Sequence, residues 1–89
     1  MSSSEEHHGA VAAAKEVVGQ VQELIAAITE KLDNEVIPAV HHATGGLECN
    51  MESGRMAFSW TAGLKSDADE LYRRTENIVA ELDRYDGGF

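Results

Sequence analysis

The feature that most constrains this chain is a pair of apolar patterns with helical spacing, one on each side of two adjacent glycines. In the first half, apolar residues recur at intervals of three and four: Val11, Ala14, Val18, Val21, Ile25, Ile28 and Leu32. In the second half, the same intervals connect Thr61, Leu64, Ala68, Leu71, Thr75, Ile78, Leu82 and Tyr85. Since such spacing places side chains on one face of a helix, each half predicts a long amphipathic helix.

The break between the two patterns contains Gly45 and Gly46, which permit the left-handed backbone angles that end a helix. Pro38 lacks an amide donor and crowds the preceding turn, so we expect the first helix to end or kink at about Ile37. These signals predict an all-α fold with a single domain over residues 1–89. The expected architecture is an antiparallel two-helix hairpin, with helix one at about 5–40, a turn at about 43–47 and helix two at about 48–86.

The two patterns also predict how the helices align. A fold at residues 44 and 45 brings apolar residues of one half opposite those of the other, with large side chains facing small ones at several levels. The predicted pairs are Val11 with Ile78, Ala14 with Thr75, Val18 with Leu71, Val21 with Ala68, Ile25 with Leu64, and Ile28 with Thr61.

Further apolar residues lie beside these patterns, and two helices alone cannot cover them. We therefore expect two hairpins to pair into a four-helix bundle, as a homodimer or as a heterodimer with a similar small helical protein. The segment from Met51 to Gly63 concentrates the Trp residue, a Phe and two Met residues, which are favoured at interfaces. The predicted partner-binding residues are Met56, Phe58, Trp60, Gly63, Leu24, Val17 and Val79.

Composition narrows the class of partner. The formal net charge is −9, from sixteen acidic and seven basic residues, so we expect binding neither to nucleic acid nor to anionic membrane surfaces. No apolar run approaches the roughly 18 residues of a membrane span, and the N-terminal residues lack the features of a cleaved secretory signal. We therefore expect a protein that is made in the cytoplasm and binds other proteins.

Candidate chemistry is confined to two histidine doublets and one cysteine. The predicted alignment brings His41 and His42 near Glu48 and Cys49, a set that could hold zinc or activate a thiol. The spacing matches no standard zinc pattern, and a two-helix rod offers no cleft. We expect no catalytic, metal-binding or cofactor-binding residues, and a zinc or thiol enzyme is kept only as an alternative.

Two short motifs resemble those of the Trp-X-Gly family of small type VII secretion substrates. The segment Trp60-Thr61-Ala62-Gly63 is similar to the family's central motif, although two residues separate Trp60 from Gly63. The segment from Tyr72 to Glu76 has the Tyr-x-x-x-Glu form of the family's export signal, here inside the second helix. The resemblance implies a helical-hairpin dimer secreted without a cleaved signal peptide, with Tyr72 and Glu76 as the export signal and Trp60 contacting the partner hairpin.

A second hypothesis fits the same charge and shape. An intracellular adaptor or inhibitor could dock on a larger, basic protein, because negative charge can occupy a basic groove. A phage-type inhibitor of a nucleic-acid-binding enzyme is one example. This alternative predicts salt-sensitive binding to a basic partner and tolerance of substitutions at Tyr72.

Overall fold

A computed structural model describes residues 3–88, with side chains from residue 5 onward. Two long helical arms lie against each other, and no strand occurs in residues 3–88. The hairpin measures 67 × 18 × 13 Å, and the predicted all-α hairpin is confirmed. The elements are α1 at Ser3–Lys31, a π-helical segment at Leu32–Val36, α2 at Ile37–Thr44, a 3₁₀ turn at Gly46–Glu48, and α3 at Glu52–Gly87.

The first arm, predicted at about 5–40 with an end or a kink at about Ile37, does not end at Pro38 but continues to Thr44. The π-helical segment directly before Pro38 explains the difference. There the Ile37 amide donates to the Leu32 carbonyl, five residues back, so the widened turn relieves the crowding that a proline ring causes in an α-helix. The proline then occupies the first turn of α2.

The turn uses both glycines as the sequence predicts. Gly45 has a φ of 86° and Gly46 a φ of 69°, and the Gly45 amide donates to the His41 carbonyl over 2.8 Å. The connection is longer than the predicted 43–47, because the 3₁₀ turn follows and the backbone at Met51 is extended, with a ψ of 134°. Helix two therefore begins at Glu52 rather than at about 48.

The longer turn changes the alignment of the arms, and the predicted pairs are wrong. The Gln22 side chain donates to the Thr75 hydroxyl over 3.0 Å, at the level where Ala14 was expected. Cross-arm ion pairs of Lys15 with Asp83 and of Lys65 with Asp33 follow the same alignment. Because the chain reverses beyond Gly46, α3 is displaced along the first arm by about two helical turns relative to the prediction.

The core between the arms is thin. Its buried members are Val11, Ile25, Leu32 and Ala68, joined by the polar Thr75. Within residues 5–88, no large side chain is fully buried. A hairpin that buries so little apolar surface gains only modest stability as an isolated chain.

Side-chain contacts close both ends of the hairpin. At the turn, the His41 and Phe58 rings meet edge to face with centroids 5.4 Å apart. At the opposite end, the His7 and Tyr85 rings lie 4.4 Å apart, and His8 contacts the Asp86 carboxylate. These contacts hold the first arm against α3 at both ends of the hairpin.

Candidate protein-interaction surface

Part of the predicted seam of α3 lies outside the hairpin. Leu64, Leu71, Ile78 and Tyr85 are each between 49% and 55% exposed. They are spaced by seven residues, so they form one straight stripe along α3. The buried Ala68 and Thr75 lie on a neighbouring stripe of the same helix, which is the one that meets α1.

A matching stripe runs along α1. Val17, Val21, Leu24 and Ile28 are between 42% and 65% exposed and follow one another at intervals of four, three and four. Two of the four, Val21 and Ile28, were predicted to face the hairpin interior. The predicted Ile25 does lie in the interior, but the structure places Gln22 rather than Val21 against Thr75, so the face of α1 toward α3 is rotated by about one residue from the predicted one.

The two stripes share one side of the hairpin. A single open groove is lined by Ile28 from α1 and by Leu64 and Leu71 from α3, with the Asp67 side chain also at the groove. A second shallow groove extends it past Leu24 and Lys31. We call this surface the apolar face, and it comprises Val17, Val21, Leu24, Ile28, Leu64, Leu71, Ile78 and Tyr85.

The opposite side of the hairpin carries charge. Lys15 contacts Asp83 over 2.6 Å and Lys65 contacts Asp33 over 3.0 Å, so ion pairs connect the arms there. A groove on this side is lined by Glu30, Asp33 and Asp69. We call this surface the polar face, and it comprises Lys15, Glu30, Asp33, Lys65, Asp69 and Asp83.

The ion pairs of the polar face change the titration of their lysines. A hydrogen bond to Asp83, and then the charge of that carboxylate, raises the pKa of Lys15 above 10.5. Asp33 raises the pKa of Lys65 in the same way. Both lysines are exposed to solvent, which screens the interaction.

The predicted partner-binding residues fall into three groups. Val17 and Leu24 lie on the apolar face. Near the turn end, Trp60 is 68% exposed, and Met56 and Gly63 are also exposed. Phe58 and Val79 are half-buried in the hairpin.

The proposed export residues lie one turn apart on α3. Tyr72 is 37% exposed and lines the groove of the polar face, and its carbonyl accepts a hydrogen bond from the Thr75 hydroxyl. Glu76 is exposed. Both residues therefore remain accessible when the apolar face is covered.

Of the residues considered for chemistry, His41 and Cys49 contact neighbouring residues, whereas His42 and Glu48 are exposed. His41 stacks on Phe58, and Cys49 lies directly beside Gly54, where its sulfur leaves no room for a larger residue. Among the described residues, no three His, Cys, Asp or Glu side chains are grouped to hold a metal ion. None of the helices within residues 3–88 combines the length and the hydropathy needed to cross a bilayer.

The fold and this surface define the molecule as a helical hairpin with one exposed apolar face. No family model, no curated protein and no solved structure matches the chain. A signal for the second face is present in the sequence as adjacent apolar pairs, such as Val17-Val18 and Leu24-Ile25. Two neighbouring apolar positions widen the stripe, as expected of a helix that packs against two partners.

Proposed function

We propose that this protein is an acidic protein-interaction module that acts as a dimer, pairing its apolar face with a second helical hairpin in a four-helix bundle. The observation that carries the proposal is the apolar face itself. Its side chains are seven aliphatic groups and one tyrosine in two stripes along the helices, which is the arrangement that helical bundles bury. Contiguous exposed apolar surface of this kind marks interaction sites.

The exposed area supports the same proposal. A folded monomer of 9.6 kDa is expected to expose about 5,100 Å², and the hairpin exposes 6379 Å². The excess exceeds the ~800 Å² that each partner buries in a standard protein–protein interface. The hairpin therefore has enough surplus surface for an interface of at least standard size.

Export by a type VII secretion system is the finer part of the proposal. Its support is that Tyr72 and Glu76 remain accessible beside the polar face, where a dimer would present them. In a host with such a system, we expect Tyr72→Ala to abolish secretion and Glu81→Gln, a matched exposed site on α3, to leave it unchanged. Equal secretion of both variants would contradict the export role.

An adaptor or inhibitor for a basic protein is the second candidate, and the polar face favours it. Glu30, Asp33 and Asp69 surround one groove there, in a chain with a net charge of −9. Such docking would depend steeply on salt, because exposed charges are screened within about 8 Å at physiological ionic strength. Reversal of charge at Asp69 would weaken it, whereas changes on the apolar face would not.

Molar mass in solution, measured by light scattering over a dilution series in low and high salt, tests the pairing. We expect twice the chain mass of 9.6 kDa, retained on dilution to micromolar concentration and in high salt, because apolar burial is not screened. A monomer at all concentrations would contradict self-pairing and direct the search to a heterologous hairpin.

A further inference from the structure

We propose that the apolar face is covered by a second copy of this chain whose turn lies at the same end, so that α1 of each copy packs across α3 of the other. The inference rests on the proposed pairing function and adds the identity and direction of the partner. It follows from the heights of the exposed side chains along the hairpin.

Three cross-arm contacts fix those heights. Lys15 is level with Asp83, Gln22 with Thr75, and Asp33 with Lys65. The helices run antiparallel with equal rise per residue, so each α3 residue can be assigned a height on α1.

On this scale, two exposed α3 residues each lie at a height between two successive exposed residues of α1. Leu71 stands at the height between Leu24 and Ile28. Ile78, seven residues further on, stands between Val17 and Val21. A side chain that enters the gap between residues four apart is the packing that stabilises helical bundles.

A two-fold axis parallel to the helices preserves every height. It places α1 of one copy over α3 of the other, so the side chains and gaps that match in height come into contact. The same axis brings Tyr85, whose ring also packs against His7 of its own hairpin, to the height of Ala10 and Ala14 of the other copy, where the side chains are small. The face is thus complementary to itself, as an isologous dimer interface requires.

The positions of the charged residues favour this parallel axis over a two-fold axis perpendicular to the helices. Asp67 lies at the apolar groove with Leu71, and Lys31 lines the extension of that groove on α1. The two residues stand at nearly the same height, so the parallel axis brings Asp67 of each copy to Lys31 of the other. Opposite charges that face each other across an interface fix its register.

A perpendicular two-fold axis would place the turns at opposite ends. To superimpose the stripes, it must pass near the Gln22–Thr75 level. It then brings Arg74 close to its own copy and Asp67 close to Glu81. Both contacts join like charges, which are destabilising at an interface.

A distance between the two turns distinguishes the arrangements. The measurement uses pulsed electron spin resonance on the full chain, with Cys49→Ser to remove the native thiol and Asn50→Cys to carry a spin label. Asn50 is exposed. For helices packed about 10 Å apart, we expect labels within roughly 35 Å of each other. Turns at opposite ends would place them at a separation comparable to the 67 Å length of the hairpin.

The outcomes separate the two proposals. A dimer with the long distance would overturn the same-end arrangement and leave the pairing function standing. A labelled chain with wild-type helicity that stays monomeric at all concentrations would overturn both.

A charge exchange tests the interface without a label. We expect Lys31→Glu and Asp67→Lys each to weaken dimerisation by about tenfold, and the double variant to recover most of the wild-type affinity. Lys31 also contacts Glu35 within its own arm, but that contact is equally disturbed in the single and the double variant. Losses that simply add in the double variant would contradict the proposed contact.

Discussion

The two faces of this hairpin differ in how they are held together. On the polar face, Lys15 and Lys65 connect the arms to Asp83 and Asp33, and the groups remain in solvent. On the apolar face, aliphatic side chains of both arms stand beside an open groove. The charged groups of the polar face are paired and hydrated in the single hairpin, whereas the apolar face leaves a large hydrophobic area in contact with water. Apolar residues spaced by three and four along one helix can therefore form two surfaces, one that packs against the other arm and one that is available to a second molecule.

The largest effect is expected from a charge on the apolar face. In the proposed dimer, Ile78→Glu removes from each copy an isoleucine that is 49% exposed in the hairpin. Each copy then loses roughly half of the about 1.5–3 kcal/mol of full burial, and the dissociation constant should rise by more than about tenfold. Ala80→Glu is the matched control, because two residues further on the side chain points about 200° away. Sedimentation velocity measures both variants. If both variants weakened dimerisation equally, the proposed difference between the two faces would be contradicted.

A substitution at the turn should lower the stability of the whole hairpin, and so affect both faces. At Gly54 an added methyl group would lie against the Cys49 sulfur and 3.4 Å from the Thr44 Cβ. Gly54→Ala should therefore destabilise the fold by about 1–3 kcal/mol. Gly19→Ala has open space and should stabilise α1 by about 0.5–1 kcal/mol. Urea denaturation distinguishes them, and a stabilised Gly54→Ala variant would contradict the packed turn.

A smaller effect is expected at Thr75, which lies on the seam between the faces. Its hydroxyl accepts from the Gln22 amide and donates to the Tyr72 carbonyl. Thr75→Val should cost about 1 kcal/mol in unfolding free energy, because the Gln22 amide loses a partner. Thr61→Val, which removes a bond within one helix only, is the control. An effect no larger than that of the control would argue against the observed alignment.

The smallest effect concerns the ion pairs of the polar face. The pKa of Lys15 and of Lys65 is raised in the folded state, so their contribution is present below pH 10.5 and lost as the pH rises above that value. We expect wild-type stability to fall more between pH 10 and 12 than that of the Lys15→Met, Lys65→Met double variant. Thermal unfolding across this range measures the difference, and parallel curves would show that the pairs contribute nothing.

Much of the fold could be predicted from spacing alone. Two heptad patterns and the Gly45-Gly46 pair were sufficient for the helices, the hairpin and the left-handed turn residues. The alignment could not be predicted in the same way. When one helix is shifted along the other by about seven residues, apolar residues again lie opposite apolar residues, so the two patterns are compatible with more than one alignment. The conformation of residues 45–51 decides among them, and its extended residues leave no periodic signal.

The candidate surface was predictable only in part. Val17 and Leu24 were identified as residues that a single hairpin cannot cover, whereas Leu71 and Ile78 were assigned to its interior. A stripe with three apolar positions per heptad contains both a seam and a second face. Which position faces which neighbour depends on how far each helix is rotated, and that is a property of the packed pair.

The apolar face should be covered in solution, and a dissolved paramagnetic probe measures this directly in the unmodified protein. Methyl resonances of Leu71, Ile78 and Leu24 should be shielded from the probe, whereas those of Ala26 and Ala80 should broaden strongly. Equal broadening of both sets, at a concentration where the chain is folded, would show that both faces are open to water and would contradict the central claim.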